Sequence, residues 1–188
     1  VGTAFAFCSE SGLREDYKQA LLTKVMSGDA RVVTDSLASP TSFPFKVALL
    51  EGSLSEDEVY SARPRICDLG YLSEAYKDTE GKISYRCPGE PVSIYLSKSG
   101  TQEDTLGRKC LCNALMATIG LPQIRGGKYS EKGLVTSGND LTEIARFLPA
   151  GRSTYNAADV LKEMMSIFSG CDMTGGIDVG VGAETLYS

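Results

Sequence analysis

Apolar residues in this chain come in short bursts separated by glycine, proline and small polar residues, which predicts short elements. Val1 to Cys8 is small and apolar, with Phe5 and Phe7 in alternation, and reads as a buried strand. Ser9-Glu10-Ser11-Gly12 interrupts it with cap-forming residues. From Leu13 to Met26, the residues Leu13, Tyr17, Ala20, Leu21 and Val25 recur every three or four positions. That spacing predicts an amphipathic helix closed by Gly28. Strand, loop and helix would form one βα unit. Val32 and Val33 predict a short strand, and Pro40 and Pro44 an extended path after it. Ser55-Glu56-Asp57-Glu58 predicts a helix start, with the helix stopping before Pro64.

The next stretch is irregular. Leu69 to Tyr76 reads as a short helix, Asp78 to Gly81 as a turn and Ile83 to Cys87 as a strand. Pro88 and Pro91 bracket a turn before the apolar run Val92 to Leu96. Asp104 is placed to cap a helix from Thr105 to Ile119, with Leu106, Cys110, Leu111, Ala114, Leu115 and Thr118 on one face. Leu141, Ile144, Ala145 and Leu148 predict another amphipathic helix. Ser153 to Phe168 predicts the last, with Ala157, Val160, Leu161, Met164 and Phe168 inward. Three regions follow: 1–50 (strand, helix and following segment), 51–168 (a mostly helical lobe) and 169–188 (a glycine-rich tail expected to be poorly ordered).

A hydrophobic fraction of 42% with 23% charged residues fits a core-forming chain and argues against wholesale disorder. The net charge is −5 and the basic residues are scattered, so no electrostatic footprint for nucleic acid is expected. No apolar run approaches the roughly 18 to 20 residues that cross a bilayer. No basic segment followed by an apolar stretch is visible at the start, so a cytoplasmic setting with reduced thiols is expected. Histidine is absent, which excludes Ser-His-Asp or Cys-His chemistry built from this chain alone, and any His-ligated metal.

Two groups of residues are candidates for chemistry. In Val1-Gly2-Thr3 a glycine follows apolar residues, and lets a ligand approach the backbone closely. At the C-terminal end of a barrel strand such groups bind phosphate; elsewhere Gly-Thr is an ordinary turn. The second group is Cys67, Cys87, Cys110 and Cys112, since four thiolates can hold zinc or an iron–sulfur cluster. Their spacing matches no common knuckle. On a regular helix Cys110 and Cys112 would point about 200° apart, so joint ligation requires a helix start or bend between them. The plain alternative, which the spacing favours, is four small buried side chains and no metal. Cys8 and Cys171 have no partners by spacing. Arg63, Arg65, Arg108 and Lys109 flank these cysteines and could reach a phosphate, but surface ion pairs are the better expectation. Glu10 is expected to be a solvated loop carboxylate.

The segment VGTAFAFCSESGL resembles the last barrel strand and following loop of the nitronate monooxygenase family, formerly called 2-nitropropane dioxygenases. VVTDSLASPTSFPFKV is similar to the stretch that follows the helix in that family. ARPRICDLGYL, YRCPGEPV and GRKCLCNAL resemble a longer C-terminal extension of one bacterial branch. The resemblance covers the chain to about residue 165. It implies an α/β fold: the C-terminal part of an FMN-binding (β/α)8 TIM barrel plus an appended, mostly helical lobe. It implies FMN as cofactor, with Val1, Gly2 and Thr3 at its phosphate and Thr3 able to add its hydroxyl. The implied reaction is oxidative denitrification of an alkyl nitronate to a carbonyl compound and nitrite with O2. The histidine of that reaction would lie upstream of Val1. Two alternatives stand beside it: an FMN-dependent enoyl reductase of fatty-acid synthesis, and a non-enzymatic cysteine-rich metal-binding module.

Overall fold

The computed structural model describes residues 2–169. The first element is a helix, α1 (Gly2–Ala6), not the expected strand. The burial of Ala4, Phe7 and Cys8 explains the difference, because their spacing of three and four is a helical one. A strand here would need neighbours for its backbone groups, whereas a turn of helix satisfies them internally. The expected βα unit is therefore a pair of helices. The C-terminal end of α1 is tied down by Ser11, whose hydroxyl donates to the Ala6 carbonyl at 2.6 Å. Lys18 is buried below it, and its ammonium donates to the carbonyls of Cys8, Ser9 and Ser11.

Helix α2 (Glu15–Ser27) follows as expected, with Tyr17, Leu21, Leu22 and Val25 buried and Gly28 at φ 79° closing it. Strands β1 (Val32–Asp35) and β2 (Phe45–Ala48) pair antiparallel. The other edge of β2 meets the 135–137 segment: Ala48 N–H donates to Val135 O at 2.9 Å and Ser137 N–H to Lys46 O at 3.1 Å. Helix α3 (Asp57–Ala62) starts and stops where expected.

Residues expected to form a helix at 69–76 instead lead into β3 (Glu74–Lys77), which pairs with β4 (Ile83–Arg86) across the 78–81 turn. Val92–Ser97 is a short helix, α4. The long helix expected from Thr105 is split into α5 (Gln102–Thr105) and α6 (Leu111–Thr118). Gly107 sits at φ 68° between them, a left-handed conformation that stops a helix. Thr101, not Asp104, caps α5, and Asp104 completes the reciprocal capping box.

After the small hairpin β5 (Ile124–Arg125) and β6 (Tyr129–Ser130) comes a 3₁₀ helix, Asn139–Phe147. Its buried residues Leu141, Ile144 and Phe147 are three apart, the period of a 3₁₀ rather than an α-helix. Helix α7 (Ala157–Ser169) ends the described chain; Val160 faces the core, while Leu161, expected inward, is exposed. The expectation for residues 170–188 lies outside the described residues.

Three two-stranded antiparallel sheets are present among the described residues, with no closed barrel and no parallel pair. Two hydrophobic clusters support them. The larger joins α1, α2, the 3₁₀ helix, Tyr155 and α7. The smaller joins Ala38, Val47, Leu54, Leu111, Ala114 and Leu134. Tyr155 locks the first cluster: its hydroxyl donates to Ala4 O at 2.6 Å, and its own carbonyl accepts from Ser9 N–H at 2.9 Å.

Candidate functional site

The start of α1 opens on a cleft of about 530 Å³, walled by the 43–46 and 136–140 segments. Three distant parts of the chain meet here because β2 is flanked by the 135–137 segment and because α1 packs on the 3₁₀ helix. Gly2 is exposed at the mouth, and a Cβ built on it would have nothing within 4 Å. Lys46 is the basic residue of the lining, and Phe43 and Phe45 form an edge-to-face pair along one wall, 5.1 Å between centroids. Val1 lies outside the described residues.

Thr3 behaves differently from Gly2. It is buried, donates its hydroxyl to Asp140 Oδ1 at 2.6 Å and accepts the Gly138 N–H at 3.1 Å. The hydroxyl thus fastens α1 to the start of the 3₁₀ helix and has no free donor for a phosphate. The expected contribution of Thr3 reduces to its backbone. Lys46 and the 136–140 wall were missed in the sequence, which carries no local signal for contacts 135 or more residues apart.

The flanking basic residues are all engaged by the protein. Arg63 is not at the surface: it forms a buried bidentate pair with Glu131, at 2.7 and 2.8 Å. Burial disfavours the Arg63 charge, but the hydrogen bonds and charge of Glu131 outweigh it and raise its pKa. Asn113 bridges Glu131 to Asp68, which in turn pairs with Arg125. The Arg125 hydrogen bonds hold the Asp68 carboxyl below its ordinary range. Lys109 pairs with Asp35 at 2.6 Å, and Arg108 donates to Ser39 O and Ser42 Oγ. Glu10 is exposed in its loop, as expected, and is also engaged by the protein. It accepts the Ala157 N–H at 3.1 Å and so caps the first residue of α7. Amide donation from its own backbone and from Ala157 lowers its pKa.

No protein-family model matches the chain, and no curated protein or solved structure is significantly similar to it.

The cysteines of the described residues are all unbridged. Cys87, Cys110 and Cys112 are buried and Cys67 is half-buried. Burial raises the thiols of Cys8, Cys67 and Cys110, and pushes Cys87 up to about 11. None of these four thiols has the depressed pKa that marks a nucleophilic cysteine. Among the described residues no three His, Cys, Asp or Glu side chains are already disposed to hold a metal ion. No helix among them is long and apolar enough to cross a membrane.

Proposed function

We propose that this chain is the closing part of an FMN-dependent oxidoreductase of the nitronate monooxygenase type, acting on an alkyl nitronate and O2. The observation that carries the reading is the open cleft at Gly2, in the one segment whose residues resemble a flavin-phosphate motif. In (β/α)8 enzymes the phosphate site commonly lies after strands 7 and 8 and uses the first turn of a short extra helix. With α1 starting at Gly2, the phosphate contacts belong to the beginning of that helix and not to a strand end.

The residues present fit such a group in a limited way. Gly2 gives room for close backbone approach, the Lys46 ammonium supplies positive charge, and Phe43 and Phe45 offer an apolar wall. Thr3 positions α1 through Asp140 and Gly138. When bound, FMN supplies the electron transfer between nitronate and O2. The chain has no histidine, so the base belongs to the barrel portion that this reading places before Val1.

The test uses the polypeptide that includes this upstream portion. It should purify yellow and release nitrite from an alkyl nitronate in the presence of O2. A Cβ at Gly2 has nothing within 4 Å, so Gly2→Val should leave folding intact. It should nevertheless weaken flavin binding tenfold or more, about 1.4 kcal/mol, because the new side chain fills phosphate space. Unchanged flavin affinity in that variant would sink the assignment. Nicotinamide-driven flavin reduction without nitrite release would point to an enoyl reductase instead.

A further inference from the structure

We infer that Cys67, Cys87, Cys110 and Cys112 are the four thiolate ligands of one structural zinc ion, which fastens the Pro64–Lys109 segment to α6. The inference is separate from the flavin reading, and either can fail without the other.

The first support is local geometry. Cys110 is the N-cap of α6, at φ −81° and ψ 82°, and Cys112 lies in its first turn. The pair thus straddles a helix start, the arrangement that lets two cysteines one residue apart turn toward a common point. Cys87 is brought to the same place. A Cβ built on Gly89 would lie 3.4 Å from the Cys87 sulfur and 3.0 Å from the Lys109 carbonyl, next to Cys110. Cys67 is held there by its neighbour: Ile66 O accepts from Asn113 Nδ2, the residue after Cys112, at 3.5 Å. All four sulfurs lie within electrostatic reach of one another.

The second support is the backbone around the sulfurs. The amides of Gly70, Gly89 and Asn113, each two or three residues downstream, lie close enough to the sulfurs of Cys67, Cys87 and Cys110 to favour their thiolate forms. Such second-layer donors orient thiolate ligands and offset their charge. Arg65 adds a positive charge in the same region. Its guanidinium donates to Glu90 O at 2.7 Å, Thr105 O at 2.9 Å and Pro88 O, linking the cysteine-bearing loops. It forms no ion pair among the described residues, and four thiolates around Zn²⁺ would carry two negative charges for it to balance.

The third support is the poverty of the core. Between Pro64 and Lys109 the buried aliphatic, aromatic or sulfur side chains are Cys87, Pro88 and Tyr95, and only Leu72 packs on either hydrophobic cluster. A segment of this size with so little buried apolar surface needs a staple, and unbridged thiols do not supply one. The sulfurs as placed do not yet form a ligand set. Rotation about χ1 would have to bring them to roughly 3.8 Å apart, around zinc at about 2.3 Å. Four sulfur ligands leave no open position, so the site is structural.

The test is metal analysis of protein purified without chelator from zinc-supplemented growth. About one zinc per chain is expected, falling at least tenfold in Cys87→Ser and in Cys110→Ser but not in Cys8→Ser. A ligand variant that fails to fold also loses metal, so cobalt replacement provides the second measurement. Co²⁺ in the unaltered protein should give the intense near-ultraviolet charge transfer and visible bands of a tetrahedral tetrathiolate. Metal-free protein, stoichiometric iron in place of zinc, zinc retained in Cys110→Ser, or a pale octahedral cobalt spectrum would each overturn the inference.

Discussion

Glu131 has a fully buried side chain and receives both arms of the Arg63 guanidinium, a hydrogen bond from Asn113 and another from the Tyr129 hydroxyl. Two opposite charges so placed offset each other's desolvation; one alone does not. Glu131→Gln keeps the shape and removes the charge, leaving Arg63 as an uncompensated buried cation. The expected loss is about 3–5 kcal/mol, read as a fall in the denaturant midpoint. A change within about 0.5 kcal/mol would mean that water reaches the pair. Neither partner is recognisable in the sequence as half of a buried pair. Arg63 reads there as an ordinary flanking cation, because the contact spans 68 positions and nothing near either residue encodes it. The candidate residues Gly2 and the four cysteines are legible by type, since glycine after an apolar run and repeated thiols carry their chemistry with them. Their surroundings are not: Lys46, Gly138 and Asp140 reach Gly2 and Thr3 only through the folded chain.

Elements whose signals are local are legible. Helix α2, β1, α3, the 78–81 turn and β4 follow from apolar spacing, acidic first turns and glycine stops within a few residues. Elements decided by packing are not. The opening apolar run fits a strand or a helix equally until a neighbouring helix claims one face. Gly107 could sit inside a helix or end one, and it ends one. The attachment of α1 supplies a test at this scale. Thr3→Val is nearly isosteric but strips the 3₁₀ helix of the hydroxyl that serves Asp140 and Gly138. It should cost about 1–3 kcal/mol, concentrated as faster hydrogen exchange in α1 and residues 138–141 rather than in β3 and β4. Uniformly raised exchange across the chain would show that α1 is not a separable unit.

The molecule as a whole should be sensitive to alkali. Burial pushes the Tyr95 hydroxyl up to about 12 and raises Tyr155 further, while an unfolded tyrosine ionises near pH 10. A raised folded pKa means that the folded state keeps the proton longer. Stability is then level below about pH 10 and declines as the pH climbs toward 12 and beyond. A pH-jump series should show tyrosinate absorbance from these residues appearing together with loss of helical circular dichroism. Ionisation of every tyrosine near pH 10 with the fold intact would contradict it. Tyr155 matters here for its position as well as its pKa. Its hydroxyl reaches Ala4, 151 positions earlier. During synthesis the contact over Ala4 cannot form until the 151 residues separating it from Tyr155 have been added. A product terminated before Tyr155 would leave Ala4 and Phe7 open to chaperones and proteases, so loss of the Tyr155 segment should be felt first around α1.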